Sequence, residues 1–197
     1  MTEKICISFD WDDLVVDTTP PRIEMAFRNC GKEYVPTVTW GFSDYYEKGL
    51  GDVVDEFFRL LNTPDLYRAK LLDDRTPYAF NKIMASRSHR YIITCARATH
   101  KFYPTLIQIR KTGILIQPEM LYCTGGDKTE VLEREKAVLH FDDGSHNAAA
   151  IIKSGISTKP VLISNARTTW NHSERHLYRP YYPDIITALV SHGVIRL

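Results

Sequence analysis

The sequence predicts an α/β protein: a parallel sheet covered by helices on both faces, with a mostly helical segment inserted after the first strand. Three observations carry this. From residue 90 onward, short apolar runs alternate with amphipathic helical patterns, the order that builds parallel βαβ units. The runs are apolar along their length, as in strands buried on both faces. Residues 10 to 90, between the first two runs, are too many for one crossover and carry helical periodicity.

Residues 4 to 9, with Ile5, Ile7 and Phe9 set among Cys6 and Ser8, read as a buried strand ending at Asp10. Thr18 or Thr19 caps a helix begun by Pro20 and Pro21, with Ile23, Ala26, Phe27 and Cys30 on its apolar face and Gly31 as its stop. Residues 35 to 50 read as irregular and aromatic, and the next helix places Val54, Phe57, Phe58 and Leu61 on one face. A further helix follows Thr76-Pro77 and uses Phe80, Ile83 and Met84.

The alternation then begins. Tyr91 to Thr94 is a strand, and a helix through Phe102, Leu106 and Ile109 stops at Gly113. A short strand near Met120 to Cys123 leads to a helix from Lys128; Ala137 to Phe141 leads to a helix over Asn147 to Lys153, stopped by Gly155. Pro160 to Ser164 is a fifth strand, and Asp184 to His192 a last helix before Gly193.

Composition bounds the function. At roughly 150 residues per domain, 197 residues make one domain or one domain with an insertion. Lys and Arg number 25 against 24 Asp and Glu, a formal charge of +1, without the basic excess that drives binding to long nucleic acids. Hydrophobic content of 44% with 10 Gly and 10 Pro fits a globular protein. Cys6, Cys30, Cys95 and Cys123 are widely spaced, which fits reduced thiols and neither a CxxC metal site nor a disulfide framework. The N-terminus has no apolar signal region, and no uncharged apolar run approaches the ~20 residues that cross a bilayer. A soluble cytoplasmic protein with no membrane partner is the expectation.

In an open parallel sheet, ligands bind at the carboxyl ends of the strands. This sequence places Asp10, Asp12 and Asp13 after the first strand, Thr94 at the end of the second, Lys128 after the third and Asp142-Asp143 after the fourth. Converging carboxylates repel unless some are protonated or a hard cation lies between them; Mg²⁺ suits. A carboxylate attacks a phosphoryl group only when cationic groups offset the charge, which Lys128 and Mg²⁺ supply. Thr94 adds a hydroxyl and turn amides, including that of Cys95, for phosphate oxygens, and the second aspartate exchanges protons with leaving alcohol and water. The set suits phosphate-ester hydrolysis.

Taken singly, each piece has a plain structural explanation: surface acid, helix cap, exposed lysine, DG turn. Their recurrence at successive strand ends favours a site. Gly125-Gly126-Asp127-Lys128-Thr129 is not a P-loop, since that pattern needs Gly where Tyr122 and Asp127 stand. His172 and His176 share an i, i+4 spacing but lack the adjacent Glu of a zinc motif. A receiver domain orders its acidic pair, Thr and Lys differently.

These motifs resemble the haloacid dehalogenase superfamily of phosphatases, in the same order: Asp10-x-Asp12, Thr94, Lys128 and Asp142-Asp143. The resemblance implies a three-layer Rossmann-like core, residues 1-17 plus 86-197, and a small helical type 1 cap, residues 18-85. It implies Asp10 as nucleophile through an aspartyl-phosphate and Asp12 as acid/base. Thr94, Cys95 and Lys128 would hold phosphate; Arg97 follows Thr94 closely enough to reach a phosphate or a sugar-side group, or else forms a structural salt bridge; Asp10, Asp12 through its backbone carbonyl, and Asp142 would hold Mg²⁺, with Asp143 behind them. The chain departs from the pattern at Asp13, where Gly is usual, and at Leu14, where Thr or Val is usual.

Within the superfamily the chain looks most like the small 5'(3')-deoxyribonucleotidases of bacterial and phage type. The features are Phe27…Gly31…Thr39-Trp40, Thr94-Cys95-Ala96-Arg97, Gly125-Gly126-Asp127-Lys128 and Pro160-Val161-Leu162-Ile163…Trp170-Asn171. This implies nucleoside 5'-monophosphates as substrates and a homodimer, with Trp40, Phe42, Tyr45 and Tyr46 as candidates to stack on the base or to form the cap's own core. Two alternatives stay open: a phosphatase of another small phosphate ester, and a weakly catalytic protein that binds a nucleotide.

Overall fold

The computed structural model describes residues 3–34, 42–61, 63–164 and 180–196. Five strands, β1 (Ile5–Phe9), β2 (His89–Cys95), β3 (Leu121–Cys123), β4 (Ala137–Asp142) and β5 (Lys159–Leu162), form one sheet in the order β3-β2-β1-β4-β5. Every pairing is parallel. The order reverses between β1 and β4, so the switch point, where such sheets bind ligands, lies beside the end of β1. The α/β fold class is as expected, with helices on both faces.

The helices are α1 (Thr19–Asn29), α2 (Phe42–Glu47), α3 (Gly51–Leu61), α4 (Thr76–Ala85), α5 (Phe102–Lys111), α6 (Thr129–Arg134), α7 (Ser145–Ser154) and α8 (Ile185–Ser191). None of the described helices is long and apolar enough to cross a membrane. One large apolar cluster packs on one side of the sheet around Phe9, Tyr91 and Phe141, with Ile185 and Leu189 of α8. A smaller one, with Cys6, Ile92, Leu132 and Ile151, lies on the other.

The insertion has its own apolar centre, formed by Ile23, Ala26 and Phe27 of α1, Tyr45 of α2 and Val53, Val54, Phe57 and Leu60 of α3. Two details differ from the sequence pattern. The buried stripe of α3 is Val53, Val54, Phe57 and Leu60, and Phe58 is exposed, because the i, i+1, i+4, i+7 set starting at Val53 is the one that meets α1. Helix α4, placed by sequence in the 18-85 cap, gives Ala79, Phe80 and Ile83 to the large cluster under the sheet; Phe80 lies 4.6 Å from Phe9, centroid to centroid. The chain enters and leaves the insertion side by side, with Asp17 N–H donating to Lys70 O and Leu72 N–H to Val15 O.

Residues 35 to 50 are not wholly irregular, since α2 falls within them. Helix α1 is capped from upstream: Asp13 Oδ1 accepts from Thr18 N–H (2.8 Å), Thr18 Oγ1 (2.9 Å) and Thr19 N–H (2.7 Å), and neither threonine serves as the side-chain cap. A carboxylate at a helix start satisfies orphan amides and faces the positive end of the macrodipole.

Candidate active site

β1 sits between β2 and β4, with Phe9 level with Ile93 and with Phe141. The next residue, Asp10, is level with Thr94 and Asp142, and its N–H donates to Phe141 O at 2.9 Å. Two carboxylates therefore meet at the switch point, and Asp143 joins them. Oxygens of Asp10, Asp142 and Asp143 lie within 4.8 Å of one another, all three residues buried.

Lys128, at the start of α6, makes this bearable. Its Nζ lies 3.0 Å from Asp10 Oδ1 and 2.7 Å from Asp142 Oδ2, with the ammonium buried. Burial pulls its pKa down, but Asp10 and Asp142 outweigh that and raise it above the ordinary value. Burial also pushes the carboxyl of Asp142 up; Lys128 and His140 outweigh it and hold that carboxyl well below the usual range. Asp10 goes the other way, pushed up to about 8 by burial and then by Asp142 and Asp12, against the pull of Lys128. Asp143 is likewise raised by burial and by Asp13, Asp142 and Asp10. Three ionised carboxylates around one ammonium would leave excess negative charge, which the raised pKa values of Asp10 and Asp143 express and which a hard divalent cation with oxygen ligands would relieve. The donor set fits Mg²⁺, with Asp143 in the side-chain cluster rather than behind it.

The side chain of Asp12 turns away from this trio toward Arg97, whose Nε and Nη2 lie 2.9 Å from Oδ2 and 2.6 Å from Oδ1. Arg97 is held in turn by Thr105 Oγ1 (3.1 Å) and Gln108 Oε1 (2.8 Å). Gln108 also accepts from Trp11 Nε1 at 3.1 Å and donates to Leu66 O at 3.0 Å, so one buried amide joins β1's end, α5 and the segment returning from the insertion. Sequence spacing gave no sign of Gln108.

Thr94 is at the expected strand end, but its hydroxyl is fully buried, 3.2 Å from Ser8 Oγ. It points beneath the carboxylates instead of into open space. The Cys95 side chain faces the core, its Sγ donating to Cys123 Sγ at 3.5 Å. The departures at Asp13 and Leu14 have structural explanations: Asp13 has φ of 61°, the left-handed region that favours Gly and admits Asp, and Leu14 joins the large core.

A cavity of about 340 Å³ opens above Asp12, walled by Thr18, Phe58, Leu66, Arg97 and Lys101. Its cap-side aromatic is Phe58, which the helical pattern had assigned to a buried face. Tyr45 is a core residue of the cap, edge-on to Phe27, and therefore no stacking platform. Tyr46 is exposed and donates to Asp55 Oδ1 at 3.1 Å; it does not line this cavity. Trp40, the side chain of Phe42, and the Trp170-Asn171 tail lie outside the described residues.

No protein-family model matches the chain, and no curated protein does. Solved structures do match over nearly the whole length. One is a conserved haloacid dehalogenase-like protein of Agrobacterium tumefaciens, 14% identical, covering 98% of this chain and 100% of that one with a TM-score of 0.65. A second is a HAD family hydrolase of Deinococcus radiodurans with bound phosphate and sodium, 11% identical, covering 98% and 97% with a TM-score of 0.63. A third is a HAD-hydrolase of Bacillus subtilis bound to magnesium, 14% identical, covering 98% and 100% with a TM-score of 0.56. The fold is the haloacid dehalogenase-like fold.

Proposed function

We propose that this protein is a Mg²⁺-dependent phosphomonoesterase that works through an aspartyl-phosphate on Asp10. The observation that carries the reading is the juxtaposition of Asp10 with Lys128 and two further buried carboxylates at the switch point of the sheet. The phosphate, sodium and magnesium in two of the similar structures support it.

Asp10 Oδ1 accepts from Trp11 N–H at 2.7 Å and faces Lys128, which leaves Oδ2 for the phosphorus. In the first half-reaction Oδ2 attacks, the ester P–O bond breaks, and the leaving oxygen takes a proton from Asp12. In the second, Asp12 takes a proton from water, whose oxygen attacks the phosphorus and releases phosphate from Asp10. Arg97 fixes the plane of the Asp12 carboxylate and occupies two of its roughly four lone-pair sites, leaving others toward the cavity. A divalent cation held by Asp10, Asp142 and Asp143 supplies the positive charge that favours the ionised carboxylates and offsets the phosphoryl charge.

Among phosphate esters, nucleoside 5'-monophosphates are the substrates we propose. Phe58 and Leu66 give the cavity an apolar wall, and Lys101 and Arg97 give it cations near Asp12, a combination suited to a flat ring joined to an anion. The test is phosphate release from ribo- and deoxyribonucleoside 5'- and 3'-monophosphates and sugar phosphates, with Mg²⁺ or EDTA. Mg²⁺-dependent release, fastest with a 5'-nucleotide, is expected. Activity confined to sugar phosphates would discard the substrate class and keep the chemistry, and ligand binding without turnover would favour the nucleotide-binding alternative.

A further inference from the structure

β4 carries a fully buried imidazole between Leu139 and Phe141. His140 has no exposed surface, and neither do Ser8 of β1 and Thr94 of β2. The three form a chain across the sheet directly below the carboxylates. Thr94 Oγ1 lies 3.2 Å from Ser8 Oγ, Ser8 Oγ lies 3.0 Å from His140 Nδ1, and His140 Nε2 lies 2.8 Å from Asp142 Oδ2.

The direction of every proton in this chain follows from its far end. Asp142 is paired with Lys128 at 2.7 Å, and an ionised carboxylate only accepts, so the imidazole carries hydrogen on Nε2. In the neutral ring Nδ1 then accepts from Ser8, and Ser8 oxygen accepts from Thr94. The same carboxylate is gripped elsewhere by Gly144 N–H at 2.7 Å on Oδ1 and by Asn147 Nδ2 at 3.1 and 3.0 Å on its two oxygens. Asp142 is thus fixed from behind and from the side. A hydrogen-bond donor behind a ligating carboxylate is a common way for a protein to fix that ligand's orientation.

We infer that His140 is a positioning residue, which with Ser8 and Thr94 holds Asp142 in the orientation that lets Asp10, Asp142 and Asp143 form one divalent-cation pocket. This rests on the reading of the trio as a metal site. It assigns Thr94 to the support of that site rather than to a hydroxyl contact with phosphate.

The test is Mn²⁺ binding to the substrate-free protein, read by electron paramagnetic resonance, for the wild type and for His140→Leu, His140→Gln and Ser8→Ala. His140→Leu is expected to weaken Mn²⁺ binding roughly 10- to 100-fold. His140→Gln, which keeps an N–H donor for Asp142, should recover most of the loss. Ser8→Ala keeps the ring and its Nε2 hydrogen but removes the hydroxyl that holds Nδ1, so the ring is less firmly oriented and binding should also weaken; it carries the test if the Leu variant does not fold. Nitrogen-15 NMR of the wild type should show hydrogen on Nε2 of His140. Wild-type affinity in a folded His140→Leu or, failing that, in Ser8→Ala, or hydrogen on Nδ1, overturns the inference alone. A wild type that binds no Mn²⁺ overturns the metal reading and this inference with it.

Discussion

Arg97 grips Asp12 with two parallel hydrogen bonds, 2.9 Å from Nε to Oδ2 and 2.6 Å from Nη2 to Oδ1, with the guanidinium nearly buried. Such a fork fixes a plane as well as a distance. Replacing Arg97 with Ala leaves Asp12 without its partner and takes one of two donors from Gln108 Oε1, and, with Asp12 partly exposed, should cost about 1–3 kcal/mol of stability. Arg97→Lys keeps the charge and loses the fork, so turnover should fall while most of the stability remains. Chemical denaturation and steady-state kinetics of the two variants separate these effects.

Asp13 combines a backbone of φ 61° with three hydrogen bonds into the start of α1. Asp13→Gly loses the bonds but accepts the backbone, whereas Asp13→Ala loses the bonds and strains the backbone by about 1–2 kcal/mol more. The thermal midpoints should rank wild type above Gly above Ala, and equal midpoints for Gly and Ala would contradict the left-handed geometry.

Gly144 has an ordinary negative φ of −89°, so a side chain there meets a packing problem and no backbone strain. A Cβ would sit 3.0 Å from Asp142 Oδ1, 3.1 Å from Asn147 Nδ2 and 2.8 Å from His146 Cε1. The His146 ring must swing aside and the Asp142 carboxylate give by a few tenths of an ångström. Gly144→Ala should weaken divalent-cation binding, measured by calorimetry, and cost roughly 1–3 kcal/mol of stability.

The cap carries an acid-sensitive contact. Glu56 of α3 accepts from Arg59 Nε at 2.5 Å and from Asn29 Nδ2 of α1 at 2.6 Å, and these partners, Arg59 first, hold its carboxyl down at about 2 against an ordinary 4.5. A carboxyl lowered in the fold stabilises it fully above the unfolded pKa, and that share is lost as pH falls from 4.5 to about 2. The contact is open to solvent, so the effect is small and shrinks with salt. Over that window the melting temperature of Glu56→Gln should fall less steeply with pH than that of the wild type.

The sheet and the order of its strand-end residues were legible because they depend on local pattern: apolar runs, turns, and polar groups where the runs stop. Asp10, Lys128 and Asp142 could be placed together from that alone. What supports them could not. Ser8 and His140 are 132 positions apart, and Trp11 and Gln108 are 97 apart, so no periodicity links them; the one available sign was a histidine inside the apolar run of β4. The cap was harder for another reason. A short helix rich in aromatics has several apolar faces, and only packing against α1 decides that Tyr45 and Phe57 go inside while Phe58 meets the cavity.

As the nucleophile, Asp10 becomes covalently phosphorylated during turnover. Acid-quenching the protein during turnover of a nucleoside 5'-monophosphate with Mg²⁺, followed by peptide mass spectrometry, tests it directly. A hydroxylamine-labile phosphoryl group on Asp10 is expected, absent from Asp10→Asn, which also releases no phosphate. Undiminished phosphate release by Asp10→Asn, or a phosphoryl group on another residue, would contradict it.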